Sequence, residues 1–326
     1  MPEQWNHKIF EASKNDFEAI SLEIFQYQFN NNAVYSNYVK ALGINPSSVN
    51  SLSKIPFLPV RFFKSHLVKT GNFIPEAVFE SSGTTDTVNS RHLVRNLFIY
   101  EESFRTGFES FYGHLNGWCI LGLLPSYLER SNSSLVYMVN KLIEQTGHPK
   151  SGFYLDEYEK LFSVLADLEK QGQKTLLIGV TFALLDFAEK YSLALKHTVI
   201  METGGMKGRR KEMIRPEVHE LLKKSFSVPS VHSEYGMTEL LSQGYSGGEG
   251  LFRCPFWMKI LVRDDEDPLQ VQERGTGAAN VIDLANVHSC SFIATDDAVK
   301  VVDGGSFEIP GRMDGSDLRG CSLMIL

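Results

Sequence analysis

The chain opens on a helical pattern. Between residues 8 and 43, Phe10, Phe17, Ile20, Ile24 and Phe25 recur at three- and four-residue steps, the spacing of one helix face. Asn30-Asn31-Asn32 breaks the pattern, and Tyr35 to Leu42 resumes it. The run Ile55-Pro56-Phe57-Leu58-Pro59-Val60 carries two prolines, so it is expected to be extended with little ladder hydrogen bonding. A further helix is expected over residues 93–112, carrying Phe98, Phe104, Phe108 and Phe111. Short apolar runs then alternate with helical ones. Residues 118–124, 175–180 and 198–202 read as buried strands, and 228–231 as a short strand. Residues 134–145, 158–171, 182–191 and 212–224 read as helices. This alternation predicts an α/β fold with a parallel, helix-covered sheet. Ligands of such sheets lie outside the carboxyl ends of the strands. Beyond residue 250, short segments at 258–262, 279–283 and 299–302 are separated by turn residues. They predict antiparallel strands in a small barrel-like part. The chain therefore reads as one large domain: a helical part over about 1–75, an α/β core over 76–249, and a β-rich part with a tail over 250–326.

Composition narrows the function classes. With 43% hydrophobic and 22% charged residues over 326 positions, the chain is globular rather than disordered. A formal net charge of −7 argues against a nucleic-acid partner held by electrostatics. There is no apolar run long enough for a membrane span, which needs about 18 residues or more. The first residues, Met1-Pro2-Glu3-Gln4-Trp5-Asn6-His7-Lys8, are polar and include an acid, so no signal peptide is expected. Cys119, Cys254, Cys290 and Cys321 show no CxxC spacing. They fit free thiols in a reducing, cytoplasmic setting better than a disulfide frame or a zinc site.

The candidate chemistry centres on Phe79-Glu80-Ser81-Ser82-Gly83-Thr84-Thr85-Asp86-Thr87. Hydroxyls and backbone N–H groups around a glycine suit an anion. Taken alone, the same residues also suit a surface turn and helix cap. Further along come His232-Ser233-Glu234-Tyr235-Gly236-Met237-Thr238-Glu239, then Thr295-Asp296-Asp297, then Gly311-Arg312-Met313-Asp314. Gly204 and Gly205 close an expected strand, where backbone can approach a ligand closely.

These four motifs, in this order, resemble those of the adenylate-forming superfamily of acyl-CoA synthetases, adenylation domains and luciferases. The resemblance implies a carboxylic acid activated by ATP and Mg²⁺ as acyl-AMP. It assigns Ser81, Ser82, Gly83, Thr84 and Thr85 to the phosphates. Gly204, Gly205, Tyr235, Gly236 and Met237 would surround adenine, and Thr238 the α-phosphate. Glu239 would hold Mg²⁺, a hard cation that prefers carboxylate oxygen. Asp297, with Asp296 as rival, would take the ribose hydroxyls, and Arg312 the ribose or a phosphate.

Departures from the family pattern refine the picture. Asp86 stands where a glycine is common, and no lysine follows in the loop; Arg91 and His92 are the nearest cationic candidates. The sequence stops at Leu326, soon after Asp314, so the mobile lid domain with its catalytic lysine is expected to be missing. The tail carries Cys321. This end looks like the LuxE-type acyl-protein synthetases of bacterial luminescence, and a weaker likeness to phenylacetate-CoA ligases lies in the lead-in to the loop. The likeness implies transfer of a fatty acyl group to a protein cysteine, either Cys321 or one on a partner such as an acyl reductase. A CoA ligase, or a nucleotide- or acyl-binding protein without turnover, are the alternatives.

Overall fold

Thr175–Val180 is buried along its whole length, as a strand covered on both faces must be. The structure, a computed structural model, describes residues 2–11, 13–81, 88–124, 132–155, 157–204 and 213–313. In chain order its strands are β1 (Leu58–Pro59), β2 (Ala77–Glu80), β3 (Arg91–Val94), β4 (Cys119–Leu123), β5 (Gly152–Phe153), β6 (Thr175–Val180), β7 (Thr198–Thr203) and β8 (His232–Tyr235). They continue as β9 (Gly244–Ser246), β10 (Leu251–Arg253), β11 (Met258–Arg263), β12 (Val271–Gln272), β13 (Gly275–Asp283), β14 (Phe292–Val301) and β15 (Phe307–Arg312). Thirteen of them form one sheet, ordered β12-β11-β13-β14-β15-β10-β9-β8-β7-β6-β4-β5, with β1 added on β14. β5, β4, β6, β7 and β8 run parallel. From β8 to β9 onward the main path is antiparallel. The strands expected beyond residue 250 thus join the parallel strands edge to edge.

Helices follow the parallel strands, as the alternation predicts. Ser134–Thr146 starts at the cap Ser133 and ends at Gly147, whose φ of 61° lies in the left-handed region. Thr181–Lys190 and Arg215–Phe226 meet through Phe187 stacked on Phe226, with ring centroids 5.7 Å apart. The N-terminal helix Phe17–Asn31 docks on the antiparallel part through Gln28. Its amide donates to the carbonyls of Asn286 and Val287 and accepts from the Ser291 N–H. Phe25, Tyr35 and Phe57 pack around Phe292. Among the described residues, no helix is long and apolar enough to cross a membrane.

Two expectations need correction. The helix placed at residue 93 begins at Leu97, capped by Asn96, whose side chain accepts from the Phe98 N–H. Residues 91–94 instead form β3, paired antiparallel with β2. His92 and Val94 are buried there while Arg91 is exposed, a period of two that the Leu93-Val94 pair conceals. The short strand placed at 228–231 lies later, as β8, where the ladder to β7 aligns Met201 with His232. Val228 and Val231 are buried, but outside that ladder.

Candidate active site

Side chains alternate along β8, so the motif HSEY feeds two faces of the sheet. In register, Ser233 stands beside Glu202 of β7 and Ser246 of β9, whereas Glu234 stands beside Thr203 and Tyr245. On the Ser233 side, Glu202 is buried and held by Arg215, whose Nε donates at 2.9 Å. His219 lies 3.7 Å away, and Thr181 Oγ1 lies 3.3 Å from Glu202 Oε2. Burial alone would raise the Glu202 carboxyl. The Arg215 charge and the hydrogen bonds of His219 and Ser233 outweigh it and hold the group down at about 2. On the other side, Thr203 Oγ1 donates to Glu234 Oε2 at 2.5 Å. Burial pushes Glu234 up to about 7; the Thr203 hydrogen bond opposes this and the Glu202 charge adds to it. Gly236 leaves room beside it, since a Cβ there would make the Glu234 carboxyl shift.

β7 is followed by Gly204, whose φ of +70° only glycine adopts readily. Its carbonyl accepts from Thr181 Oγ1 at 2.6 Å. Tyr235 ends β8 and reaches across to β14. Its hydroxyl donates to Asp297 Oδ2 at 2.9 Å, and its ring packs edge-on against Phe252 and Phe307. Asp297 is paired in register with Arg312 of β15. Arg312 Nε lies 3.5 Å from Asp297 Oδ1, and its NH2 lies 3.5 Å from Asp296 Oδ2. Arg61 Nε also approaches Asp296, at 3.4 Å. Tyr235, Asp297 and Arg312, three residues far apart in the chain, therefore form one buried group at the carboxyl end of β8.

The segment after β8 is clamped from three directions. Asp283 Oδ2 accepts from the N–H groups of Leu241 and Ser242, at 2.8 and 3.0 Å. Its Oδ1 accepts from the Ser242 hydroxyl at 2.6 Å and from the Ala285 N–H at 3.1 Å. Asn286 Nδ2 donates to the Glu239 carbonyl at 2.7 Å. His92 Nδ1 bonds the Thr238 carbonyl at 2.8 Å. A carbonyl only accepts, so this ring nitrogen carries the proton. Burial pushes His92 down to about 4, against the Thr238 carbonyl and the Glu239 charge. His92 is thus neutral at pH 7, and the expectation that it is a cation near the loop is corrected: its burial decides. Burial pushes Asp283 up to about 6, opposed by the donors just named. Every partner of Asp283 is a donor, so an amide there turns one N–H toward other N–H groups. Asp283→Asn is expected to cost about 2 kcal/mol or more, read as a lowered urea midpoint, and to loosen Thr238 and Glu239. An unchanged midpoint would contradict the clamp.

Asp283 and Asn286 were not singled out from the sequence. Their one signal is the cap signature of Asp283 ahead of the short helix Leu284–His288. Ser81 closes the β2–β3 hairpin, since its N–H donates to the Ser90 carbonyl and its hydroxyl accepts the Ser90 N–H at 2.9 Å. Met237 packs against the core, and Thr238 is half-buried. Ser82, Gly83, Thr84, Thr85, Asp86, Gly205, Asp314 and Cys321 lie outside the described residues. Among the described residues, no group of three or more His, Cys, Asp or Glu side chains could hold a metal unaided. Glu239 offers a single hard ligand on a fixed backbone. That fits Mg²⁺, which commonly takes one or two carboxylates and completes its shell with water and phosphate oxygens.

Neither a family model nor a curated protein matches the sequence significantly. Solved structures do match the fold. ATP-bound MatB from Rhodopseudomonas palustris superposes with a TM-score of 0.54 at 16% identity, covering 72% of this chain and 48% of that one. A 2-hydroxyisobutyryl-CoA ligase in complex with 2-HIB-AMP and CoA superposes with a TM-score of 0.67 at 14% identity, covering 95% of this chain and 70% of that one. An open conformation of that ligase gives 0.66 at 13% identity, over 93% and 75%. The chain spans about half the length of the MatB structure it matches. The fold is therefore the α/β, mixed-sheet fold of the adenylate-forming domain.

Proposed function

We propose that the chain is an ATP- and Mg²⁺-dependent ligase that activates a carboxylic acid, a fatty acid in the first instance, as acyl-AMP. It then passes the acyl group to a protein cysteine thiol. The observation that carries this is the meeting of Tyr235, Asp297 and Arg312 at the carboxyl end of β8, directly before the clamped Thr238-Glu239. That is where a parallel sheet of this kind takes its ligand. In this reading Asp297 and Arg312 hold the ribose, and Gly204, Gly205, Tyr235, Gly236 and Met237 surround adenine. Thr238 meets the α-phosphate, the loop from Ser81 to Thr85 the outer phosphates, and Glu239 the metal ion. Bound there, Mg²⁺ supplies neutralisation of the triphosphate charge. The acid's carboxylate oxygen attacks the α-phosphorus and the bond to pyrophosphate breaks. A thiolate, from Cys321 or a partner protein, then attacks the acyl carbonyl, and AMP leaves with the bonding electrons. Positioning and charge stabilisation carry most of the rate. A cytoplasmic setting suits the free thiol.

The second reading makes CoA the acceptor, favoured by the CoA in the hydroxyisobutyryl ligase complexes. The test is carboxylate-dependent ATP–pyrophosphate exchange without CoA, across fatty, aryl and amino acids. Exchange with one of these classes is expected. Intact-mass spectrometry should then show a hydroxylamine-labile adduct that Cys321→Ala lacks. An acyl-CoA product with no adduct would favour the second reading. A folded protein that binds ATP and exchanges with no acid would be a binding protein without turnover.

A further inference from the structure

Thr203, Glu234 and Tyr245 stand side by side on one face of the β7–β8–β9 ladder. The helix Leu97–Tyr112 packs against them: Tyr245 lies 5.2 Å from the Phe111 ring and 5.6 Å from the Tyr112 ring. Burial raises the hydroxyls of Tyr100, Tyr112 and Tyr245, and the Glu234 charge adds to it; of the three, Tyr245 is the direct ladder neighbour of Glu234. Two of them are engaged. Tyr100 donates to the Ser134 carbonyl at 3.0 Å, and Tyr112 shares a hydrogen with His232 Nδ1 at 3.1 Å. The Tyr245 hydroxyl is buried and has no partner. A buried polar atom in that state is costly, about 1–3 kcal/mol, unless a water or ligand meets it. Glu234 uses Oε2 for Thr203, and among the described residues none donates to Oε1. The Glu234 side chain is only partly covered, and it stands on the face of β8 opposite Tyr235 and the nucleotide group.

We infer that Glu234 and Tyr245 together recognise a hydroxyl group on the acid, so that the substrate is a hydroxylated carboxylic acid rather than a plain alkyl one. This rests on the adenylation reading. The two protein atoms need different things: a carboxylate oxygen needs a donor, and the Tyr245 O–H needs an acceptor. A hydroxyl supplies both from one oxygen. A methyl supplies neither, and it would leave the pair unmet beside an apolar chain. An ammonium group supplies donors only.

The test compares acids in matched sets, each an unsubstituted acid with its hydroxylated and amino counterparts. It uses ATP–pyrophosphate exchange with wild type, Tyr245→Phe and Glu234→Leu. Wild type is expected to prefer the hydroxylated acid by about tenfold or more in kcat/KM, because a site built to bond a hydroxyl rejects the analogue lacking it. That ratio should fall toward one in both variants. Tyr245→Phe keeps the ring and its packing, so it reads the hydroxyl without disturbing the fold. Equal use of the matched acids by wild type, a preference for the amino acid, or a ratio unmoved in Tyr245→Phe would each overturn the inference. If no acid supports exchange, the adenylation reading fails. Calorimetric binding of the same matched acids then decides this inference separately, and equal affinity would overturn it.

Discussion

Glu239→Ala is expected to lower acyl-AMP formation by about 100-fold or more, since a lost metal ligand removes several kcal/mol of charge stabilisation. The substitution is informative because the local backbone has anchors besides that side chain. Asn286 holds the Glu239 carbonyl, His92 the carbonyl before it, and Asp283 the N–H groups that follow. Removing the carboxylate should therefore leave the segment in place. Glu239→Gln keeps the shape and removes the charge, so it should match the alanine variant in exchange while unfolding near the wild-type midpoint. Raising the Mg²⁺ concentration should partly restore exchange in both. Wild-type exchange in Glu239→Ala would remove Glu239 from the metal role.

Arg215→Met is expected to cost about 3–5 kcal/mol in urea unfolding, the range for removing one partner of a buried ion pair. Arg215 bonds Glu202 through Nε and the Ile309 carbonyl through NH1, at 3.0 Å, and its guanidinium lies 5.1 Å from the centre of the Phe252 ring. Methionine keeps much of the packing and leaves the Glu202 carboxylate with only the neutral donors around it and His219. The pair also fixes a pH dependence. Glu202 titrates at about 2 in the folded chain against an ordinary value of 4.5. Its contribution, about 3 kcal/mol, is complete above pH 4.5 and disappears as pH falls through about 2. Glu234 works in the opposite sense. Its value is raised to about 7, so its contribution is present below pH 4.5 and is lost as pH rises through 7. Arg215→Met should flatten the acid limb of the stability profile and leave the limb near neutrality unchanged. A cost below about 1 kcal/mol would show that the pair is screened by solvent.

Legibility in the sequence followed the range of the interaction. Thr175–Val180 and Tyr158–Gln171 are found where the apolar pattern places them, because that pattern is carried within one element. Arg91–Val94 was misplaced because its identity as a strand comes from β2, across a hairpin. In the site, Tyr235, Asp297 and Arg312 could be named from motifs, and the structure places Asp297 beside both of the others. The clamp could not be found that way. Asp283 and Asn286 look like an ordinary helix cap until the fold brings them under Leu241 and Glu239. Arg215 likewise reads as a surface cation until it meets Glu202.

The sequence by itself determined the α/β alternation, the antiparallel texture after residue 250 and the positions of the motif residues, since each depends on neighbours a few residues away. Only the tertiary structure decided the ionisation and the partners of those residues. His92 is neutral because packing removes its water, and Glu202 stays charged because Arg215 arrives from another element. Glu234 and Tyr245 become one recognition pair because the ladder between β8 and β9 sets them opposite each other. Solvation and long-range pairing are properties of the folded chain, and no local pattern encodes them.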